Sequence, residues 1–177
     1  TVGPYVDKIR YNPGHLHHVE RRKSIGDKVA WLASVARDTD CAIRIGVNCG
    51  SVAPEFLERY PHDQLEAIVQ SAMYHCALMD ELGFDRFVVS LKDSDPKKVV
   101  AANTRFAKAR PDVPLHLGVT EAGPSFQGTI KSAVAFGALL SKGIGDTIRV
   151  SLSAPPVEEI KVGNQILESL NLRPRGL

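Results

Sequence analysis

The sequence predicts an α/β fold on a parallel sheet, in the form of an incomplete (β/α)8 barrel. Along the 177 residues, a short β-rich run followed by a longer amphipathic stretch recurs about five times. Such alternation is typical of parallel strands joined by right-handed helical crossovers. Polar and charged residues follow each apolar run, where parallel α/β folds bind ligands. A closed barrel has eight such units and usually ~250 residues, so we expect about three units to be missing.

The elements are predicted from hydrophobic periodicity and from helix-start signals. Asp95 before Pro96, and Pro155 before Pro156, are typical of helix starts. Trp31 and the apolar stripes of the helices are expected to face the core. No linker interrupts the series, so we expect one partial barrel domain over residues 1–177; an open doubly wound sheet is the alternative. The predicted strands are 6–10, 41–47, 87–91, 115–119 and 147–152, and the predicted helices are 22–38, 63–82, 96–109, 129–141 and 156–170.

The composition is that of a globular protein, with 44% hydrophobic and 24% charged residues. A net charge of +2 gives no overall field to recruit nucleic acid or a membrane. Apolar runs are too short to span a bilayer. Three cysteines at irregular spacing favour the reducing cytoplasm and match no common metal or cluster spacing. The chain begins without methionine, and we expect it to come from a longer protein.

Four cations stand at the predicted strand ends: Arg10, Arg44, Lys92 and Arg149. Cations at buried strand ends are unfavourable unless they are paired. Arginine forks and the compact lysine charge both suit phosphate. We therefore expect one anionic small molecule, carrying a diphosphate, to bind there. The alternative, that each arginine pairs with an acid at the barrel rim, stays open.

Glu121 lies among these cations and is a candidate general acid or base, since we expect burial and nearby cations to act on it in opposite directions. An ion pair with Arg149 or Lys92 explains its position equally well. His15, His17 and His18 crowd one loop without the spacing of metal ligands. A phosphate contact or an exposed loop is favoured over a metal there, and no metal site is predicted.

Five blocks in order, covering nearly the whole chain, resemble the 4-hydroxy-3-methylbut-2-enyl diphosphate synthase family. They are KIRYNPG at 8–14, RIGVNCGS at 44–51, SLKDS at 90–94, GVTEAG at 118–123 and GIGDTIRVSL at 143–152. The resemblance implies a TIM barrel with substrate at its C-terminal mouth. It further implies that Glu121 is catalytic and that the substrate is bound by Arg10, Asn12, Arg44, Asn48, Lys92, Arg149 and Ser151.

The resemblance also implies an oxidoreductase of the non-mevalonate isoprenoid pathway. That enzyme reductively converts 2-C-methyl-D-erythritol 2,4-cyclodiphosphate to (E)-4-hydroxy-3-methylbut-2-enyl diphosphate. Electrons come from ferredoxin or flavodoxin through a four-iron four-sulfur cluster in a separate C-terminal domain, and the full-length enzyme is a homodimer. The three cysteines here do not match the cluster ligands, so we expect the iron–sulfur domain to be absent and this segment alone to be inactive.

Two other functions remain open from the residues alone. A non-redox phosphate-binding aldolase or synthase would use Lys92 as a Schiff-base nucleophile, and borohydride trapping would reveal its adduct. A non-catalytic anion-binding fragment or scaffold would leave activity unchanged on Glu121→Gln substitution in the full-length protein.

Overall fold

The computed structural model describes residues 2–16 and 18–174. The strands of this part are β1 Lys8–Tyr11, β2 Ala42–Asn48, β3 Phe87–Lys92, β4 His116–Gly118 and β5 Thr147–Arg149. The helices are α1 Pro13–Leu16, α2 Ile25–Asp38, α3 Pro54–Arg59, α4 Gln64–Glu81, α5 Pro96–Ala109, α6 Ser125–Leu140 and α7 Pro156–Ser169. Every predicted strand and helix overlaps an observed one, which confirms the repeated βα pattern. The short helices α1 and α3 were not predicted, because a single turn carries no periodicity.

The residues pack into two compact units, which are described separately. The first unit comprises Thr1–Leu91 with Asp112–Pro114, and the second comprises Lys92–Pro111 with Leu115–Leu177. The prediction of a single domain over residues 1–177 stays a prediction.

The sheet of the first unit has the strand order β1-β2-β3. β1 and β2 run parallel, with Arg10 opposite Arg44. Side chains alternate between the two faces of a strand, so these two arginines share a face. Ile43 and Ile45 project from the other face of β2 and are fully buried, where α2 and α4 pack on the strand. One face of this sheet is therefore apolar core, and the other presents the candidate site residues.

The second unit is built on the parallel pair β4–β5, with Gly118 opposite Arg149. A bridge between Asp93 and Val119 joins the segment after β3 to the end of β4. α6 packs against α5, α7 and β4. Its fully buried Phe136 and Leu139 form the core of this unit.

Alternate residues of β1 and of β5 are exposed. β1 and β3 are the edges of the three-stranded sheet, and β4 and β5 form a pair, so in the described part of the chain each of these four strands has a sheet neighbour on one side only. A strand of a closed barrel is paired on both sides. The five described strands are thus an incomplete set, as the sequence predicts.

Side-chain caps define where several helices begin. The Ser24 hydroxyl accepts a hydrogen bond from Asp27 N at 3.0 Å, and the Asp63 carboxylate accepts one from Glu66 N at 2.9 Å. Asp95 caps α5 through Lys97 N at 2.8 Å, with Pro96 in the first turn. These contacts satisfy amide groups that a helix start leaves without a partner.

The prediction that Trp31 faces the core is wrong, since 56% of this residue is exposed. α2 buries Val29, Ala33 and Ala36 instead. These three residues recur at helical spacing along one face, and Trp31 projects from the opposite face. Side-chain size therefore did not decide which face of α2 is buried.

Candidate anion-binding site

The structure places four of the predicted residues in the first unit: Arg10 and Asn12 lie at the end of β1 and just beyond it, Asn48 is the last residue of β2, and Arg44 lies inside β2. The Arg10 side chain lies across Gly46 of the neighbouring strand. Its Nη2 donates a hydrogen bond to Gly46 O at 3.1 Å. A Cβ on Gly46 would approach Arg10 Nε to 2.3 Å. Arg10 is thus held against β2 by a glycine that leaves room for it.

Desolvation by burial lowers the pKa of the Arg10 guanidinium below its usual value. The group stays protonated, because arginine does not lose its charge in proteins. In the described part of the chain Arg10 has no carboxylate partner, and its one hydrogen bond goes to a main-chain oxygen. Arg10 as a whole is exposed, so its charge is accessible to an external anion.

Asn12 is buried and joins the loops that follow β1 and β2. Its Nδ2 donates to Ser51 Oγ at 2.7 Å, and its Oδ1 accepts from Gly14 N at 3.0 Å. A Cβ on Gly14 would lie 1.7 Å from Ser51 O. The Asn12 Nδ2 thus links the two loops, and its Oδ1 fixes the loop after β1 itself, a role that the sequence did not indicate.

Arg44 and Asn48 lie on the same face of β2 as Gly46 and are partly buried. Asn48 Oδ1 is a buried acceptor without a hydrogen-bond partner among the described residues. Buried acceptors are almost always satisfied. Asn48 can therefore accept a hydrogen bond from a ligand hydroxyl.

Tyr11 and His75 support the end of β1 from the helix-facing side. The Tyr11 hydroxyl and His75 Nδ1 lie 3.0 Å apart, and both residues are buried. Burial raises the pKa of Tyr11 well above its usual value, and the nearby Cys76 adds to this. Sequence reasoning did not single out this pair, because only the packing of α4 on the strands brings residues 64 positions apart into contact.

The second unit holds Lys92, Glu121, Arg149 and Ser151. Lys92 is only 8% exposed, and its side chain lies across Gly118 of β4. A Cβ on Gly118 would be 2.8 Å from both Cε and Nζ of Lys92. The ammonium group is thus kept close to the β4 backbone.

Asp93 follows Lys92 and is a buried carboxylate that sequence reasoning did not select as a site residue. Its Oδ1 accepts from Asp95 N at 2.8 Å. Its Oδ2 is buried without a hydrogen-bond partner among the described residues. Asp93 O also accepts from Thr120 N at 3.0 Å, which fixes the start of the turn that carries Glu121.

Glu121 is exposed, so the expectation that it is buried is wrong. β4 ends at Gly118, so Glu121 lies beyond the strand, in the segment that precedes α6. The φ angle of Glu121 is +50°, in the left-handed region that is unfavourable by about 1–2 kcal/mol for a residue with a Cβ. Non-glycine residues in this conformation cluster at functional sites.

Arg149 has a carboxylate neighbour on α7. Its Nη2 is 3.6 Å from Glu159 Oε1, and the arginine side chain is 54% exposed. The same Glu159 oxygen accepts a hydrogen bond from Leu152 N at 2.9 Å. The acid near Arg149 is thus Glu159. A pair this long and exposed contributes little, so the guanidinium remains able to bind a further anion.

The loops that carry Glu121 and Ser151 are held together by main-chain contacts. Ser153 N donates to Gly123 O at 3.0 Å. A Cβ on Gly128 of α6 would lie 3.3 Å from Ser151 O. Ser151 itself is partly buried.

The described residues contain no cluster of three or more His, Cys, Asp or Glu side chains that could hold a metal ion. Cys41 is buried, and its thiol donates to Val6 O at 2.7 Å. Cys76 is also buried. These thiols do not fit the ligand set of an iron–sulfur cluster.

His15 and His18 are exposed, and His17 lies outside the described residues.

Among the described residues, no helix combines the length and the apolar character needed to cross a membrane.

Residues 2–164 match the GcpE TIM-barrel domain. The chain is 56% identical, over 174 residues, to the 4-hydroxy-3-methylbut-2-en-1-yl diphosphate synthase (flavodoxin) of Rhodopirellula baltica, covering 96% of this chain and 46% of that protein. It is 59% identical over 169 residues to the protein of that name from Pseudarthrobacter chlorophenolicus, and 58% identical to the one from Mycobacterium bovis. The chain covers 42% of each of these two proteins.

The chain thus spans a little under half the length of the curated relatives that it matches. The family match covers almost all of this chain, and the α/β pattern with parallel strands is the one that such a domain requires. This chain therefore belongs to the GcpE family and forms an incomplete part of its TIM-barrel domain.

Proposed function

We propose that this chain is the substrate-binding barrel part of an enzyme that reductively converts 2-C-methyl-D-erythritol 2,4-cyclodiphosphate to (E)-4-hydroxy-3-methylbut-2-enyl diphosphate. The observation that carries the proposal is the identity of 56–59% to proteins named as synthases of that product. The cations at the strand ends, which suit a diphosphate, support it independently.

Arg10 and Arg44 are proposed to bind the diphosphate from the first unit. Support comes from the shared face of the two arginines and from Arg10, an exposed residue whose one hydrogen bond in the described part goes to a main-chain oxygen. Asn48 is proposed to accept a hydrogen bond from a substrate hydroxyl through its buried Oδ1. Asn12 is proposed to bind substrate as well, although its amide also holds the two loops.

Lys92, Arg149 and Ser151 are proposed to be the substrate-binding residues of the second unit. Lys92 is buried, and its compact ammonium charge suits phosphate oxygens. Arg149 keeps donor groups available beside its long contact to Glu159.

Glu121 is proposed to be the proton donor. The reaction breaks two C–O bonds, the ring bond to a phosphate oxygen and the C–OH bond whose oxygen leaves as water, and it takes up two electrons and two protons. A proton must therefore reach the leaving hydroxyl. A carboxyl group on the turn after β4, in a strained backbone conformation, suits this role.

The electrons are proposed to come from flavodoxin, which the names of the relatives include. A four-iron four-sulfur cluster would pass them singly to the substrate, and its ligands are proposed to lie outside this chain. The full-length protein is proposed to be a homodimer in the cytoplasm. The irregular spacing of the three cysteines supports a reducing compartment.

Glu121→Gln in the full-length gene product tests the proposed function. We expect kcat to fall about 10²- to 10⁴-fold, the usual range for loss of a general acid. The Kd for the cyclic diphosphate, measured by calorimetry, should stay within about threefold, since the amide keeps the shape of the side chain. Glu81→Gln, at the far end of α4, is the matched control and should keep wild-type turnover. Wild-type turnover by Glu121→Gln would instead support a non-catalytic anion-binding role.

A further inference from the structure

Two cations of the candidate site lie across a glycine of another strand. In the first unit, a Cβ on Gly46 would lie 2.3 Å from Nε, 3.0 Å from Nη2 and 3.1 Å from Cζ of Arg10. In the second unit, a Cβ on Gly118 would lie 2.8 Å from Cε and Nζ and 3.2 Å from Cδ of Lys92. Real Cβ atoms essentially never approach other atoms closer than 3.0 Å, so each cation occupies space that any other residue type would fill.

We propose that Gly46 and Gly118 are positioning residues for diphosphate binding, because the missing Cβ at each holds Arg10 or Lys92 against the strand wall in its binding position. This inference rests on the proposed function and extends it to the two strand glycines against which the cation side chains lie.

Backbone conformation does not explain these glycines. The described glycines with positive φ are Gly83, Gly123, Gly143 and Gly145. Gly46 and Gly118 lie inside strands instead, where glycine weakens the sheet and often marks a close approach by another group. What these two glycines share is that a cationic side chain occupies the place that a Cβ would take.

The atoms in that space are the ends of flexible side chains. An alanine at Gly46 or Gly118 can be accommodated when the cation swings away, with the backbone unchanged. Gly14 differs, because its Cβ would meet the Ser51 main chain at 1.7 Å. Alanine at Gly46 or Gly118 should thus leave the fold intact and displace the charge, and misplacement by about 1 Å can reduce activity by about 10²-fold.

A double-mutant cycle in the full-length gene product tests the pair Gly118 and Lys92. The variants are Gly118→Ala, Lys92→Met and the double variant, and the readout is the Kd for 2-C-methyl-D-erythritol 2,4-cyclodiphosphate by calorimetry. We expect Gly118→Ala to weaken binding about tenfold and Lys92→Met about 30-fold, the size of one charged hydrogen bond. The double variant should bind no more weakly than Lys92→Met, since the glycine acts through the lysine. A strand glycine with only a structural role would give additive losses.

Gly137→Ala is the matched control, because nothing lies within 4 Å of a Cβ at that position on α6. It should bind within about twofold of wild type. A second cycle, with Gly46→Ala and Arg10→Met, repeats the test in the first unit.

The outcomes separate the two proposals. Unchanged binding in both Lys92→Met and Arg10→Met would contradict the proposed site itself. Weakened binding in those variants, together with unchanged binding or additive losses in the glycine variants, would overturn only the positioning role. Loss of folding in both alanine variants, seen as a lost thermal transition, would also overturn it, because the glycines would then serve backbone packing.

Discussion

At the residue scale, the pair of Tyr11 and His75 links a strand end of the candidate site to the helix layer behind it. The hydroxyl–imidazole contact of 3.0 Å is buried, and Tyr74 packs edge-on against the His75 ring. Because Tyr11 directly precedes Asn12, this contact helps to fix where the loop after β1 begins. Buried, satisfied polar pairs of this kind specify one arrangement of a core.

The raised pKa of Tyr11 predicts a loss of stability at alkaline pH. The folded-state pKa lies above the unfolded value of about 10, so the folded protein keeps a proton that the unfolded chain releases. This contribution to stability is complete below about pH 10 and is lost as the pH rises toward the folded pKa. Tyr11→Phe should reduce stability by about 1 kcal/mol at pH 8 and should show a shallower decline above pH 10.

Denaturant unfolding of the full-length gene product between pH 8 and pH 11 measures both effects. Tyr5→Phe, an exposed tyrosine, is the control and should follow the wild-type curve. An equally steep alkaline decline in Tyr11→Phe would assign the effect to another group.

At the element scale, the loops after β1 and β2 behave as one joined structure. Asn12 bridges them through one hydrogen bond to Ser51, and Gly14 packs against the main chain at Ser51. Site residues on these loops are thereby placed relative to one another before a ligand arrives. Such preorganisation reduces the entropy that binding would otherwise lose.

Gly14→Ala should separate these loops, because the new Cβ would meet a backbone oxygen that no side-chain rotation can move. We expect the midpoint of thermal unfolding to fall by about 5–10 °C, as for an overpacked site. Gly50→Ala is the matched control in the partner loop, since nothing lies within 4 Å of its Cβ. Equal midpoints for the two variants, measured by calorimetry on the full-length gene product, would refute this packing argument.

At the scale of the whole molecule, the described residues form five of the strands that a (β/α)8 barrel requires, and the chain spans less than half of its curated relatives. The edge strands β1 and β5 expose alternate residues, and exposed strand edges favour association between chains.

The isolated 177-residue chain should therefore bind the cyclic diphosphate more weakly than the full-length gene product does, and should not turn it over. Calorimetry and a product assay with reduced flavodoxin measure the two properties, with the full-length gene product as the control. Measurable turnover by the isolated chain would contradict the proposal that the cluster and part of the pocket lie elsewhere.

The sequence by itself determined the order and type of the main elements. The period of apolar residues identified strands and helices, and Asp95-Pro96 identified the start of α5. The resemblance of five strand-end blocks identified the family that the comparisons confirmed. These features depend on residues close together along the chain, so local patterns are sufficient to recognise them.

The tertiary structure alone decided which partners the site residues have. Trp31 is exposed because the buried residues of α2 lie on the opposite face of that helix. Glu121 is exposed in the segment that follows β4. Arg149 lies near Glu159, and Tyr11 contacts His75. No local sequence pattern predicts contacts between residues so far apart along the chain. Arg10 and Lys92 each lie over a glycine 36 or 26 positions away. Such contacts depend on how strands and helices pack, and packing is determined by the whole arrangement of the chain, which local periodicity does not specify.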